Sequence, residues 1–196
     1  MRKINIYGST GVIGNKTLKL IKNYFSDVKV NLLLAHSNYK KLIKQAYEYK
    51  PKYVCLLNEK LQKKFRKDIK DFNINAKVIN PENIFDLISH SKSDLSLLSI
   101  SGISALKFIE PIIKKTNILG LVNKECIVSG GHLFNSLFKK NKAIIVPLDS
   151  EHFSLFNYFH CSNIDHKNIK KIFLTASGGP FFGLKKNQLQ NIQYKD

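Results

Sequence analysis

An α/β fold built on a doubly wound, mainly parallel sheet is predicted from three features of the sequence. Short β-branched or leucine-rich runs alternate along the chain with lysine-rich stretches whose apolar residues recur every three or four positions. This alternation is typical of βαβ units, in which helices cover both faces of a parallel sheet. A turn with three evenly spaced glycines, Gly8, Gly11 and Gly14, follows the first apolar run. The length of 196 residues and a hydrophobic content of 43% suffice to bury one core.

The predicted strands are the short apolar runs Lys3–Tyr7, Lys29–Leu34, Tyr53–Leu57, Lys77–Ile79, Leu95–Ile100, Ile118–Leu121, Ile144–Pro147 and Lys171–Thr175. The predicted helices are the stretches with helical apolar spacing, namely Asn15–Tyr24, Tyr39–Tyr49, Glu59–Lys70, Ser104–Lys115 and Gly131–Lys139. Pro111 lies inside the fourth helix, so we expect a kink or a break near Glu110 because proline removes a backbone donor.

The pattern changes after Pro147, where the segment "LDSEHFSLFNYFHCSN" is aromatic and is interpreted as a loop. We therefore place a domain boundary near residue 147, which divides the chain into residues 1–147 and residues 148–196. The second part is too short for a core of its own, so we expect an incomplete second domain.

Composition and charge narrow the class of protein. No apolar run reaches the length of a membrane span, and the first run is too short for a secretory signal, so we expect a cytoplasmic protein with no membrane partner. Three widely spaced cysteines without a CxxC pair favour reduced thiols. The net charge is +18, but only Arg2 and Arg66 among 32 basic residues are arginines. Because arginine is preferred for phosphate and base recognition, we expect no nucleic-acid partner but a general attraction for anionic substrates.

The glycine turn predicts a phosphate-binding site of the Rossmann-like kind. In such a turn the first glycine permits the tight bend, the second lets the backbone approach a pyrophosphate, and the third allows close packing of helix on strand. The spacing is G-x-x-G-x-x-G rather than the usual G-x-G-x-x-G, and the hydroxyls of Ser9 and Thr10 could donate to a phosphate. The alternative is a strand-to-helix corner that holds no ligand.

The end of the second predicted strand indicates which cofactor is bound. Enzymes that use NAD place an Asp or Glu there to hold the ribose hydroxyls, whereas residues 35–38 contain no acid. A carboxylate would repel a 2′-phosphate, so its absence favours NADP. The residues that could contact that phosphate are His36, Ser37, Asn38 and either Lys40 or Lys41. His36 could equally be an ordinary loop histidine.

Asp149 and Glu151 lie in the segment "VPLDSEH" at the end of a predicted strand, flanked by Ser150 and His152. In extended backbone, residues two apart point to the same side, so the two carboxylates would meet there. Such a pair is costly unless a cation neutralises it, and hard oxygen ligands favour Mg²⁺ or Mn²⁺ over zinc. The alternative is a surface turn.

Two further segments follow predicted strands and carry polar groups. "LVNKEC" places Asn123, Lys124 and Glu125 at a strand exit, where α/β proteins bind ligands. "LTASGGPF" adds Ser177 and two glycines, which could form a nest of N–H groups for a phosphate. Each segment alone could also be an ordinary strand exit or turn.

Taken in this order, the segments resemble one family, the 1-deoxy-D-xylulose 5-phosphate reductoisomerases. The motifs that carry the resemblance are "GSTGVIG" at 8–14, "NKE" at 123–125, "DSEH" at 149–152 and "SGGPF" at 177–181. The resemblance implies a Rossmann-like NADPH-binding domain over residues 1–147 and the start of an α+β catalytic domain, which holds one divalent cation, over residues 148–196.

The resemblance also implies roles for individual residues. Those expected to bind NADPH are Gly8, Ser9, Thr10, Gly11, Val12 and Ile13 at its pyrophosphate, Ser37 and Asn38 near its 2′-phosphate, and Asn123. Asp149 and Glu151 would be metal ligands, and Lys124, Ser150 and Ser177 would contact the substrate. Lys124 and Glu151 are the expected catalytic residues, and Glu125 would face the cofactor or the substrate.

The implied reaction isomerises 1-deoxy-D-xylulose 5-phosphate and reduces the product with NADPH to 2-C-methyl-D-erythritol 4-phosphate, in the non-mevalonate route to isoprenoids. The family suggests a homodimer. This chain differs from the usual pattern in having His36 and Ser37 in place of glycine and lysine, and Cys126 in place of serine. It contains no tryptophan, whereas the family has a tryptophan-bearing loop, and the third metal carboxylate is expected beyond residue 196. We therefore expect a fragment that binds NADPH with little or no turnover.

Two other interpretations remain open at this point. A different Rossmann-type NADP reductase, acting on aspartate semialdehyde or a homoserine precursor, would share the glycine spacing, but it would need a catalytic Cys or Lys in its next domain. In that case "DSEH" would have no metal role. A basic module that binds nucleic acid would retain DNA or RNA in a salt-sensitive manner.

Overall fold

A computed structural model of the chain describes residues 1–161, 167, 169–173, 178–190 and 192–193. The chain divides into two compact units, Met1–Phe156 and Asn157–Asp196. The sheet and the candidate site lie in the first unit. In the described part of the chain, no helix combines the length and the apolar character that crossing a membrane requires.

Seven strands of the first unit form one sheet, in which each strand pair is parallel. The strands are β1 (Arg2–Tyr7), β2 (Val28–Ala35), β3 (Tyr53–Leu56), β4 (Lys77–Ile79), β5 (Ser93–Leu98), β6 (Thr116–Leu121) and β7 (Ile144–Pro147). Their spatial order is β4-β3-β2-β1-β5-β6-β7, so the chain winds in opposite directions from a switch point between β1 and β5. The predicted α/β class and parallel sheet are confirmed.

The helices of the described residues are α1 (Val12–Tyr24), α2 (Tyr39–Tyr49), α3 (Glu59–Asp71), α4 (Ile84–His90), α5 (Leu106–Ile113), α6 (Lys124–Lys140) and α7 (Ser150–Cys161). The short helix α4 was not predicted, and α6 starts at Lys124 rather than Gly131. The interpretation of the segment after Pro147 as a loop is wrong, because most of it forms α7.

The expected break near Glu110 is also absent, since α5 continues through Pro111 to Ile113. Pro111 costs this short helix one backbone hydrogen bond. Phe108, Ile109 and Ile112 are nearly fully buried, so packing of the helix on the sheet holds it in register. The predicted strand Lys171–Thr175 extends into residues outside the described part, and residues 171–173 do not form a strand.

The core has two layers because successive strand residues point to opposite faces of the sheet. Ile6, Leu33 and Leu97 belong to the apolar cluster on one face, together with Leu18 of α1 and Phe65 of α3. The next residue of each strand belongs to the cluster on the other face, which α4 and α5 cover; these residues are Tyr7, Leu34 and Leu98. With both faces filled, the carboxyl edge of the sheet is the place where polar loops converge.

Candidate functional site

A cleft of about 670 Å³ opens at the carboxyl edge of the sheet, over the switch point between β1 and β5. The glycine turn after β1 lines it with Gly8, Thr10 and Gly11. Its other lining residues come from the loops after β2, β3, β4 and β5 and from the start of α5, and include His36, Glu59, Phe85, Ser99, Ser101, Ser104 and Lys107. Open α/β sheets bind ligands at this position.

Two glycines are required by the shape of the turn itself. Gly8 has a φ of +88°, and a Cβ there would lie 2.6 Å from the backbone oxygen of Ser99. A Cβ on Gly14 would lie 2.6 Å from the oxygen of Gly8, which is closer than van der Waals contact allows. The turn therefore brings bare backbone to the cleft and packs the start of α1 tightly against Gly8 and Ser9.

The turn presents backbone N–H groups without protein partners. Among the described residues, the N–H groups of Thr10, Val12 and Ile13 have no hydrogen-bond acceptor. Gly11 caps α1 without a side-chain hydrogen bond, and the first turn of the helix carries no acidic residue. Unpaired donors at the positive end of a helix dipole favour an anion, so the turn fits a pyrophosphate. Ser9 lies buried beneath the turn rather than in the cleft lining.

The end of β2 departs in one respect from the sequence-based expectation. His36, Ser37 and Asn38 are exposed, as a phosphate contact requires. Asn38 caps α2, where its Oδ1 accepts from the Lys41 backbone N–H at 3.2 Å. The Lys41 ammonium donates to the Thr10 carbonyl oxygen at 2.8 Å, so this lysine contacts the glycine turn and not a group at the strand end. Lys40 is exposed and remains a candidate for the 2′-phosphate.

The side-chain amide of Asn123, which follows β6, forms hydrogen bonds with backbone groups of the protein. Its Nδ2 donates to the carbonyl oxygens of Ile100 at 2.9 Å and Gly102 at 2.8 Å, and its Oδ1 accepts from the Glu125 N–H at 2.9 Å. The residue is buried, so these bonds fasten the loop after β5 to the start of α6. Lys124 and Glu125 are exposed in the first turn of that helix.

Replacing Asn123 with alanine is therefore expected to lower the free energy of unfolding by about 2 kcal/mol, because it removes an N-cap and leaves two carbonyls unpaired. Urea denaturation followed by circular dichroism measures this change. Asn117→Ala is the matched control, since the Asn117 amide makes one exposed contact, with Asp94 at 3.3 Å, and should change stability by less than about 0.5 kcal/mol. Equal losses in the two variants would contradict the fastening role.

The carboxylate pair has a different geometry from the one predicted. Asp149 and Glu151 do not share an extended strand, since α7 begins at Ser150. Asp149 caps that helix: its Oδ1 accepts from the His152 N–H at 3.0 Å and lies 2.7 Å from the His152 Nδ1. Glu151 turns toward the start of α6, where its Oε1 accepts from the Lys124 ammonium at 3.1 Å.

One oxygen of the pair is available to a cation. Asp149 Oδ2 is buried and has no hydrogen-bond partner among the residues that the structure describes, and only 8% of the Asp149 side chain is exposed. An unpaired buried carboxylate oxygen is costly, and a bound cation removes that cost, so Asp149 fits a metal ligand. Glu151 is paired with Lys124 and Ser150 in this arrangement. The part of the chain that the structure describes contains no cluster of three or more metal-ligating residues. Ser177 lies outside the described residues.

The surroundings of Glu151 keep it ionised. The Ser150 hydroxyl donates to Glu151 Oε2 at 2.8 Å, and this bond, the backbone and the Lys124 ammonium lower the pKa of Glu151 to about 2. The same contact with Glu151 raises the pKa of Lys124. Because the pKa of Glu151 is lowered, the ion pair persists below the usual glutamate range and is lost only as the pH approaches about 2.

Carbonyl NMR of Glu151 as a function of pH measures this directly. Ser150→Ala and Lys124→Met are each expected to raise the Glu151 pKa, because the hydroxyl bond is the largest single cause of the lowering and the ammonium adds both a hydrogen bond and a charge. Ser154→Ala is the control, since its hydroxyl donates to the Glu151 backbone oxygen at 2.8 Å and not to the carboxylate. A midpoint in the ordinary glutamate range for the unaltered chain would contradict this arrangement.

A second cleft, of about 840 Å³, lies at the opposite edge of the sheet. Lysines line it, namely Lys3, Lys22, Lys29, Lys50, Lys52 and Lys77. Helices α1 and α2 end here, and lysines at helix C-termini complement the negative end of the dipole. Lys22 in the last turn of α1 and Lys50 at the C-cap of α2 thus stabilise helix ends, and the helix carbonyls there disfavour an anion.

Sequence reasoning did not identify the cleft residues contributed by the loops after β3, β4 and β5. Glu59, Phe85, Ser101 and Lys107 carry no motif in the sequence. Their positions after strands that flank the switch point are the signal that could have found them.

Comparisons with known proteins find similar sequences and structures. The family model described as 1-deoxy-D-xylulose 5-phosphate reductoisomerase matches residues 4–131, and the model of the C-terminal domain of that enzyme matches residues 145–196. The 1-deoxy-D-xylulose 5-phosphate reductoisomerase of Pelagibacter ubique (strain HTCC1062) is 40% identical over 204 residues, which cover 100% of this chain and 50% of the relative. The chain spans about half the length of the curated relatives that it matches.

Two solved structures have the same fold. The reductoisomerase from Zymomonas mobilis in complex with NADPH has a TM-score of 0.78 at 27% identity, over 95% of this chain and 48% of that one. A second reductoisomerase, in complex with NADPH, fosmidomycin and magnesium, has a TM-score of 0.76 at 26% identity, over 100% of this chain and 50% of that one.

Proposed function

Since the chain belongs to the 1-deoxy-D-xylulose 5-phosphate reductoisomerase family, we propose that it supplies the NADPH site and part of the catalytic site of such an enzyme. The reaction is the conversion of 1-deoxy-D-xylulose 5-phosphate to 2-C-methyl-D-erythritol 4-phosphate, a step toward isoprenoid precursors. The observation that carries the proposal is the cleft at the switch point, whose glycine turn presents unpaired N–H groups. Family membership decides against the alternative of a reductase for aspartate semialdehyde or a homoserine precursor.

In the cofactor half of the site, the N–H groups of Thr10, Val12 and Ile13 hold the pyrophosphate of NADPH. Ser37 and Asn38 contact the 2′-phosphate, and Gly8, Gly11 and Glu125 complete the cofactor contacts. Ser9 is buried beneath the turn and supports it from within the protein. Because the Asn123 amide is fully bonded within the protein, its role toward the cofactor is to hold the Ile100–Gly102 loop in place.

In the catalytic half, Asp149 and Glu151 bind Mg²⁺ or Mn²⁺, with Oδ2 of Asp149 as the atom already free to do so. The bound cation supplies Lewis-acid chemistry, and NADPH supplies the hydride. The Lys124 ammonium, 51% of whose side chain is exposed, stabilises negative charge on the phosphosugar. Ser150, Glu125 and Ser177 bind the substrate.

The proposal also includes the organisation of the protein. Residues 1–147 form the NADPH-binding domain, and residues 148–196 begin the catalytic domain, in line with the separate family models for residues 4–131 and 145–196. The enzyme acts in the cytoplasm as a homodimer, without membrane or nucleic-acid partners. The scarcity of arginine supports the absence of a nucleic-acid partner.

A turnover assay tests the proposal. The 196-residue chain is expected to bind NADPH without consuming it, because its described residues supply two carboxylates for the metal and no third. The same chain joined to the C-terminal half of the Pelagibacter ubique relative should consume NADPH only with both 1-deoxy-D-xylulose 5-phosphate and Mg²⁺ present. Turnover by the 196 residues alone, or turnover of the joined protein without Mg²⁺, would contradict it.

A further inference from the structure

Every backbone carbonyl of the glycine turn from Tyr7 to Thr10 is occupied by a donor of the protein. The Tyr7 and Gly8 oxygens accept from the N–H groups of Ser99 at 2.8 Å and Gly11 at 3.1 Å. The Ser9 and Thr10 oxygens instead accept from side chains, Gln45 Nε2 at 2.9 Å and Lys41 Nζ at 2.8 Å. The turn therefore has its carbonyls fixed while several of its N–H groups are free.

The two side-chain donors come from one face of α2. Lys41 and Gln45 are one helical turn apart, and they reach residues 31 and 36 positions earlier in the chain. Gln45 is only 4% exposed and lies among the apolar residues Leu42 and Ala46. Its Oε1 is buried and has no hydrogen-bond partner in the described part of the chain, so an apolar side chain would cost less there. A buried amide kept at such a cost points to a role for its one strong bond.

Planarity of the peptide unit connects that bond to the cleft. In a trans peptide the C=O and the following N–H point in opposite directions. Holding the Ser9 oxygen against α2 therefore turns the Thr10 N–H away from α2, and this N–H is one of those without an acceptor in the described part. Holding the Thr10 oxygen likewise orients the Gly11 N–H, which closes the turn onto the Gly8 oxygen at 3.1 Å.

We infer that Lys41 and Gln45 are positioning residues that set the phosphate-binding geometry of the glycine turn from the helix beneath it. The inference rests on the proposed NADPH site. It assigns the Lys41 charge to the turn rather than to the 2′-phosphate. The Lys41 backbone N–H also donates to Oδ1 of Asn38, the residue that caps α2. Lys41 therefore connects the end of β2 to the turn after β1.

Titrations of the 196-residue chain with NADPH and with adenosine 2′-monophosphate, which carries the 2′-phosphate but no pyrophosphate, test this. Lys41→Met and Gln45→Met should each weaken NADPH binding about tenfold, and adenosine 2′-monophosphate binding less than about threefold. Lys41→Arg, which keeps the donor, should stay within about threefold of the unaltered chain. Lys44→Met removes the same charge from an exposed position of the same helix and should weaken NADPH binding about twofold at most.

Each other result overturns the inference in a distinguishable way. Equal losses for both ligands in Lys41→Met would place Lys41 at the 2′-phosphate or indicate general loosening. Equal losses of NADPH affinity in Lys44→Met and Lys41→Met would show that only the net charge matters. If Gln45→Met does not fold, as thermal unfolding would report, the Lys41→Met and Lys41→Arg pair decides alone. Absence of NADPH binding by the unaltered chain would overturn the proposed function itself, and the inference with it.

Discussion

Replacing Gly8 with alanine is expected to lower NADPH affinity by more than about a hundredfold. The φ of +88° is strained for any residue with a Cβ, and the added carbon would lie 2.6 Å from the Ser99 carbonyl oxygen, which belongs to backbone and cannot move aside cheaply. The turn must shift, and its free N–H groups shift with it. Cofactor fluorescence measures the affinity, and thermal unfolding should report a loss of stability of at least about 2 kcal/mol.

Gly131→Ala is the matched control for this change. Gly131 lies within α6, and a Cβ there would meet no atom of the described residues within 4 Å outside its chain neighbours and the backbone of its own helix. Alanine is the better helix former, so this variant should bind NADPH normally and be as stable as the unaltered chain or more so. Normal NADPH binding by Gly8→Ala would show that the turn is only a structural corner.

Replacing Asp149 with asparagine in the chain joined to the Pelagibacter ubique C-terminal half is expected to lower Mg²⁺-dependent turnover by about a thousandfold or more. Asparagine keeps an oxygen for the His152 N–H, so the cap of α7 survives. The substitution removes the negative charge at Oδ2, the buried oxygen for which the described residues supply no hydrogen-bond partner. NADPH affinity should remain unchanged, because the cofactor turn lies elsewhere on the sheet edge.

Asp94→Asn is the control, since Asp94 is a surface carboxylate that accepts from the Lys3 N–H at 2.7 Å and is remote from the cleft. It should leave turnover within about twofold. Asp149→Ala separates the two roles of the residue further, because it loses the cap as well as the charge. Undiminished turnover in Asp149→Asn would contradict the metal role and leave Asp149 as a helix cap only.

Most of the sheet could be predicted from the sequence because both faces of its strands are buried. Such strands are continuous apolar runs, as in "NLLLA" of β2, and the predicted boundaries of the seven strands lie within two residues of the observed ones. Helices α4 and α7 were missed for different reasons. The seven residues of α4 are too few for a clear helical period. The segment of α7 suggested a loop because it is rich in aromatic residues. The helix begins where Asp149 accepts from the His152 N–H, and this cap is seen only in the folded backbone.

The candidate site was predicted as a set of motifs but not as a geometry. The sequence indicates Gly8, Asn123 and Asp149 as site residues, since each follows a predicted strand. It does not indicate that the Asn123 amide donates to two backbone carbonyls, or that the Lys41 ammonium donates to the glycine turn. These contacts join residues 21 to 31 positions apart, and they form only when the strand order is set.

The most direct test of the account is a comparison of NADPH and NADH binding to the 196-residue chain by cofactor fluorescence. The free N–H groups of the turn and the acid-free end of β2 predict that NADPH binds, and that it binds at least about tenfold more tightly than NADH. Failure of the chain to bind NADPH, or equal affinity for NADPH and NADH, would contradict the assignment of the glycine turn as an NADPH site.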